Sequence, residues 1–219
     1  MNNQSSSLSS TIWKRFTRHR GAIVGMVVIS LIIVLCMFAF LSPFDSEKSN
    51  LSEKYLHPSS TYLLGTDALG RDLLTRILYG GRISLAVGGI AVAISLLIGV
   101  PVGALAGYYG GKIDTVLMRV TDAFLSLPSF LVLILLAAIL REVDLPIFQR
   151  NSVLTISLVI GVLSWMTFAR LVRAAFLTLR EMDYVSAARA LGSSDGRIML
   201  GHILPNGIGV VIVEATLQL

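Results

Sequence analysis

Ile83-Ser-Leu-Ala-Val-Gly-Gly-Ile-Ala-Val-Ala-Ile-Ser-Leu-Leu-Ile-Gly-Val-Pro-Val-Gly-Ala-Leu-Ala-Gly-Tyr-Tyr-Gly-Gly111 holds no charged side chain between Arg82 and Lys112. About twenty apolar residues carry a helix across a ~30 Å hydrocarbon layer. A run this long has no water-facing side to offer, so it reads as a transmembrane helix. Outward from it, Gly21 to Phe44, Ala123 to Leu140 and Asn151 to Ala169 are also free of charge. The expected fold is all-α: a polytopic transmembrane helical bundle with full spans at 21–44, 83–111, 123–140 and 151–169. After Pro205 a further apolar segment, 206–219, leaves only about fourteen residues, short for a span. A partial fifth span is therefore expected, as if the sequence were cut inside a helix.

Composition agrees. Of 219 residues, 54% are hydrophobic and 14% charged, against about 25% charged in soluble domains. Disorder needs low hydrophobicity and high net charge, and a disulfide scaffold needs several cysteines. Here Cys36 is the single cysteine. The net charge of +5 comes from Lys and Arg scattered between apolar segments, with no basic stripe for nucleic acid. Topology explains it better. With the N-terminus inside, the N-tail 1–20, the 112–122 segment and the 170–205 loop hold eleven basic residues, against seven in 42–82 and 141–150. This bias places the N-terminus in the cytoplasm. The basic tail resembles the start of a signal peptide, but the apolar stretch behind it is about twice an h-region and lacks a small-x-small cleavage pattern. It stays as the first span of a multi-pass protein of the inner (plasma) membrane.

The 45–82 loop is then external. Within it Leu73, Leu74, Ile77 and Leu78 oppose Asp72, Thr75, Arg76 and Tyr79, which predicts an amphipathic helix at the outer interface. Inside the second span Gly99, Gly103 and Gly107 recur at every fourth position around Pro101. In lipid, close backbone approach through small residues holds helices together, so this face is expected to pack and Pro101 to kink the helix. Gly21 and Gly25 repeat the spacing in the first span.

Chemistry is sparse. His19, His57 and His202 are far apart, so no metal site is expected, and hydrolase signatures are absent. Tyr108-Tyr-Gly-Gly-Lys112 fails as a phosphate loop: Ala106 replaces its first glycine and Ile113 its Mg²⁺-binding Ser/Thr. Charges avoid span interiors, with Glu214 the exception, so the proton relay of an ion-driven transporter is missing. Energy for transport would come from another subunit.

The segment from Arg180 to Asn206 is the most informative. Asp183 is the expected N-cap of a helix from Tyr184 to Leu191, closed by Gly192 with positive φ at C′. A second helix is expected from Ser194 or Asp195 to Pro205. The first helix would expose Ala187, Ala188 and Ala190, small side chains that let a partner approach the backbone.

This stretch resembles the EAA motif of ABC-importer permease subunits: Glu-Ala-Ala, three residues, Gly, nine residues, Ile-x-Leu-Pro. Ala187, Ala188, Gly192, Leu204 and Pro205 fall at its positions, while Ser186 replaces the Glu and His202 the Ile. Other stretches narrow the likeness: His57-Pro58, Leu64-Gly65-Thr66-Asp67-Ala-Leu-Gly70-Arg71-Asp72, Arg76, Tyr79 to Leu85, Gly107 to Asp114, and Met118-Arg119-Val-Thr-Asp122. From about Trp13 to its last residue the sequence resembles the dipeptide/oligopeptide/nickel permease family, and within it the C-type subunit.

That resemblance implies a type I ABC-importer bundle of six spans and a heterodimer with a homologous B-type permease. It also implies two cytoplasmic ABC ATPases and an extracytoplasmic substrate-binding protein. ATP would be bound by the partner subunits, leaving this chain without a cofactor or catalytic activity of its own. Peptides are the expected cargo, with nickel, glutathione or another small solute as alternatives. An ion-driven secondary transporter and a simple membrane anchor are the more distant readings. Arg119 and Asp122, at i,i+3, are expected to pair at the edge of the third span, with gating as the other possible role. Pro128 is expected to kink the chain.

Overall fold

A computed structural model of the chain describes residues 20–142 and 152–218. The basic side chains Lys14, Arg15 and Arg18, the start of the resemblance at Trp13, and all but the first two residues of the 141–150 connection lie outside the described residues. The chain divides into two compact units, Met1–Leu85 and Ala86–Leu219. Among the described residues there is no strand, only an isolated bridge between Thr66 and Asp72.

In the first unit, α1 (Arg20–Met37) runs into a 3₁₀ turn, Phe38–Leu41. Together they form one apolar helix of 22 residues, long enough to cross a bilayer. Its aliphatic side chains are largely exposed, as a lipid-facing helix requires; Cys36 is buried. A Cβ built on Gly81 would stand 2.5 Å from Cys36 Sγ, so the helix approaches Gly81 because that residue has no side chain. Gly25 has nothing within 4 Å.

The 45–72 segment is a tight knot of turns. Asn50, Tyr55 and Leu56 donate from their backbone N–H groups to Leu69 O, Asp67 O and Thr66 Oγ1, and Thr66 N–H returns a bond to Leu56 O. Gly65 and Gly70 have φ of +78° and +72°, and a Cβ on either would collide with the carbonyl oxygen of Leu56 or Asn50. Only glycine fits these positions.

The helix α2 (Leu73–Tyr109) follows directly, 37 residues long with Pro101 inside it. The separate interfacial helix expected at 72–79 is corrected here: this stretch is the first two turns of α2. Two of its polar side chains do not face water, while Arg76 stays exposed. Asp72 and Thr75 are buried, and Asp72 Oδ2 caps the helix by accepting from Thr75 N (2.7 Å) and Thr75 Oγ1 (2.6 Å). Once its polar groups satisfy one another, an amphipathic start and the end of a spanning helix share one sequence pattern.

In the second unit the rest of α2 is followed by α3 (Gly111–Leu125), α4 (Ser129–Glu142), α5 (Ser152–Leu179), α6 (Asp183–Ala190), α7 (Asp195–Ile198), a π turn (Met199–Ile203) and α8 (Leu204–Gln218). Two expectations change. The 112–122 segment is helix rather than connection, and the third span is not a straight helix over 123–140. Gly111–Leu125 and Ser129–Leu140 meet at 84°. Pro128 cannot donate a backbone bond and disfavours helix at Leu127, so α3 ends and α4 restarts on the Pro128 carbonyl.

A third change is at Pro205, which does not stop the helix before it. One extra residue per turn in the π segment is the kind of adjustment that relieves a proline ring against the preceding turn. Asp195–Gln218 runs as one stretch of 24 residues, long and apolar enough to cross a membrane. The described residues therefore hold four helices long and apolar enough to cross a membrane, or five if the bent pair counts as one span.

Candidate functional site: the helical hairpin at the end of α2

The α6–α7 hairpin lies over a core of Tyr108, Val172, Phe176, Val185, Ala188, Ile198 and Ile203. Met182 rather than Asp183 is the N-cap of α6; it is extended and makes no side-chain cap bond. Asp183 instead stands in the first turn, where its charge faces the positive end of the helix dipole. At the other end Gly192, φ +77°, takes the left-handed conformation expected for it. Ser193 N bonds Ala188 O (3.1 Å) and Gly192 N bonds Arg189 O (3.0 Å), the paired pattern of a Schellman turn. The turn fixes the angle at which α7 leaves.

Ala188 departs from its expected exposure. It is buried with Val185 against the core, whereas Tyr184, Ala187, Ala190 and Leu191 face outward, Leu191 at 87% exposure. On an eight-residue helix, positions three apart share a face, so Val185 and Ala188 turn inward together. Ser186 is exposed and lines a shallow pocket of about 430 Å³ with Tyr108, Arg180, Glu181, Arg189 and Asp195. Leu204 is half-buried and Pro205 exposed, one turn beyond the hairpin.

Polar bonds tie this hairpin to α2. Tyr108, in the last turn of α2, donates its hydroxyl to Asp195 Oδ1 at 2.7 Å. Arg189 reaches the same hydroxyl from α6 at 3.5 Å, with its guanidinium carbon 5.9 Å from the Tyr108 ring centre. Arg180 donates to the carbonyls of Gly107 (2.9 Å) and Tyr108 (3.2 Å), satisfying orphan acceptors at the end of α2.

Along the bundle, the three glycines of α2 meet the backbone of α5. A Cβ on Gly99 would stand 2.6 Å from Trp165 O and Phe168 Cβ; on Gly103, 2.4 Å from Ala169 O; on Gly107, 2.6 Å from Phe176 Cβ. The sequence reading missed the return contact. Gly161 of α5 presses against Ala91 O and Ile94, and Ser95 Oγ donates to Gly161 O at 2.9 Å.

The charged pairs differ from expectation too. Asp122 pairs with Arg170 of α5 at 2.5 Å, not with Arg119. Both partners are about half exposed, so the pair contributes little stability. A second pair went unforeseen: Arg173 embraces Asp114 with two nitrogens, the bidentate geometry that suits a guanidinium. The signal was present as two facing arrays. Asp114 and Asp122, eight residues apart, share one face of α3, and Arg170 and Arg173 share one face of α5.

In the first unit, the motif residues Gly65, Thr66, Asp67, Gly70, Arg71 and Asp72 close the knot before α2. Asp67 accepts from the backbone of Arg71 (3.0 Å) and Leu69 (2.8 Å), from Arg71 Nε (3.0 Å), and from Arg76. Those donors, the Arg71 backbone first, hold its carboxyl far below the ordinary carboxylate range.

Residues 99–219 match the family of binding-protein-dependent transport system inner membrane components, and residues 7–58 match the N-terminal transmembrane domain of oligopeptide transport permease C. The dipeptide transport system permease protein DppC of Alkalihalophilus pseudofirmus is 40% identical over 206 residues, covering 94% of this chain and 65% of that protein. The oligopeptide transport system permease protein OppC of Bacillus subtilis is 36% identical, covering 97% of this chain and 68% of the relative. The glutathione transport system permease protein GsiD of Pectobacterium atrosepticum is 34% identical, covering 94% and 66%. The chain thus spans about two thirds of the length of these relatives. A bundle of apolar helices joined by glycine contacts and a family match over more than half of the sequence agree: the chain belongs to the binding-protein-dependent transport system inner membrane components, multi-pass proteins of the membrane.

Proposed function

We propose that this chain is the C-type permease subunit of an ATP-driven ABC importer of peptides. It works as a heterodimer with a homologous B-type permease. Two cytoplasmic ATPases bind ATP and drive it, and an extracytoplasmic binding protein delivers the cargo. The chain itself needs no cofactor and hydrolyses nothing. Its N-terminus and its α6–α7 hairpin are cytoplasmic.

The observation that supports this best is the hairpin. α6 and its C-cap present Tyr184, Ala187 and Leu191 outward while the opposite face and the flanking turn are fixed to α2 and α5. A connector between spans has no use for an exposed apolar face on a braced helix; an element that receives a push from another subunit does. Peptides are the cargo favoured by the relatives, whose names cover dipeptides, oligopeptides and glutathione, itself a tripeptide.

Growth tests the reading. In a leucine auxotroph lacking other peptide uptake, the gene should be required for growth on glycyl-leucine or trileucine and dispensable on free leucine. Unchanged growth on both peptides after deletion overturns the peptide assignment, and a fall in nickel uptake instead would name the alternative cargo.

A further inference from the structure

We propose that Tyr108 is the positioning residue that fastens the α6–α7 hairpin to α2, so that movement of the hairpin reaches the membrane helices undiminished; this rests on the coupling role proposed above. An eight-residue helix has no stability of its own in water. A push on its outer face travels only through whatever holds its inner face. The apolar hold of Val185 and Ala188 is non-directional and permits rotation or sliding. Direction requires hydrogen bonds, and these converge on one hydroxyl.

Tyr108 Oη donates to Asp195 on one side of the Gly192 turn and faces Arg189 on the other. One atom of α2 therefore engages both helices of the hairpin. The same turn of α2 is held to α5 through Arg180, on the carbonyls of Gly107 and Tyr108. Above it the Gly107, Gly103 and Gly99 contacts leave α2 no room to tilt independently of α5. Tyr108 thus stands where the hairpin, α2 and α5 meet.

Tyr108 itself is buried, but Asp195 and Arg189 are exposed, so the bonds weigh little in overall stability. Removing the hydroxyl leaves Arg189 and Asp195 free to pair with each other. The hairpin would stay intact while its tether to α2 is lost. That separates coupling from folding.

The test uses the whole complex, permease pair with its ATPases and binding protein, in proteoliposomes with radiolabelled trialanine and ATP. Tyr108→Phe should assemble normally and hydrolyse ATP at the wild-type rate, yet take up about fivefold less trialanine per ATP, the factor expected from the loss of one ordinary hydrogen bond. Asp195→Asn, which keeps the acceptor, should stay near wild type. A wild-type ratio of uptake to hydrolysis in Tyr108→Phe overturns the proposal. Should that variant fail to accumulate, Asp195→Ala removes the same bond from an exposed position and is held to the same ratio. A wild-type complex that moves no trialanine sinks the importer reading instead, a different result from a wild-type complex that works alongside an unaffected variant.

Discussion

Two neighbouring alanines separate what sequence can and cannot say about a side chain. Ala187 and Ala188 occupy adjacent positions of one motif, and spacing alone assigns both to a docking face. A step of one residue turns a helix by about 100°, and the structure sends Ala187 outward and Ala188 into the core beside Val185 and Ile198. Small residues hide this choice, since alanine suits either environment. The consequence is a pair of opposite phenotypes. Ala187→Arg adds length on an exposed face, so it should change stability by less than about 0.5 kcal/mol while abolishing ATPase recruitment and uptake. Ala188→Arg forces a charged chain into the core and should cost at least ~2 kcal/mol, visible as lost protein in the membrane. Co-purification of the ATPases together with the steady-state level of each variant checks both. Equal protein levels for the two variants would contradict the inward placement of Ala188. The pairing of Asp122 shows the same limit: a local i,i+3 partner is visible in the sequence, whereas Arg170 arrives from another helix only after folding.

At the scale of elements, the glycine spacing of α2 was legible because a repeat of four on a lipid-embedded helix has few uses besides close packing. Its partner was not. Gly161 stands alone in α5 without a repeat, and only the assembled pair shows it against Ala91 and Ile94. Breaks were harder still, because proline marks a disturbance without telling its outcome. Pro101 lies inside a continuous α2, Pro128 separates two helices meeting at 84°, and Pro205 follows a π turn in an unbroken stretch. What differs is whether the turn before the ring can adjust, and that is decided by neighbours. The glycine contact itself makes a prediction with an internal control. Gly103→Val places its Cβ 2.4 Å from Ala169 O, well inside van der Waals contact, so α2 and α5 must part. A loss of ~1–3 kcal/mol is expected from overpacking of this kind, read as a lower melting temperature of the detergent-solubilised protein. Gly25→Val, with nothing within 4 Å, should leave that temperature within a degree or two. If the two substitutions behave alike, the α2–α5 contact is not what holds the bundle.

For the molecule as a whole, orientation is the property that turns geometry into mechanism. A hairpin braced against α2 can receive work from an ATPase only if it faces the cytoplasm, and the knot of turns at 45–72 can meet a delivered cargo only if it faces outward. The Lys and Arg distribution favours that arrangement, eleven inside against seven outside. The margin is moderate, and Lys14, Arg15 and Arg18 of the tail supply much of it. Single-cysteine labelling decides the point. Cys36 is buried beside Gly81, so Cys36→Ala removes the native thiol without adding bulk at that contact. Ser59 lies in the knot and Ser194 at the start of α7, both exposed, and a cysteine at either should be tolerated. In intact cells an impermeant maleimide should label Ser59→Cys within minutes and Ser194→Cys only after the membrane is opened. The reverse pattern would invert the protein. It would place α6, with Tyr184, Ala187 and Leu191, on the side where no ATPase operates, and the braced hairpin would then have to serve the cargo side instead.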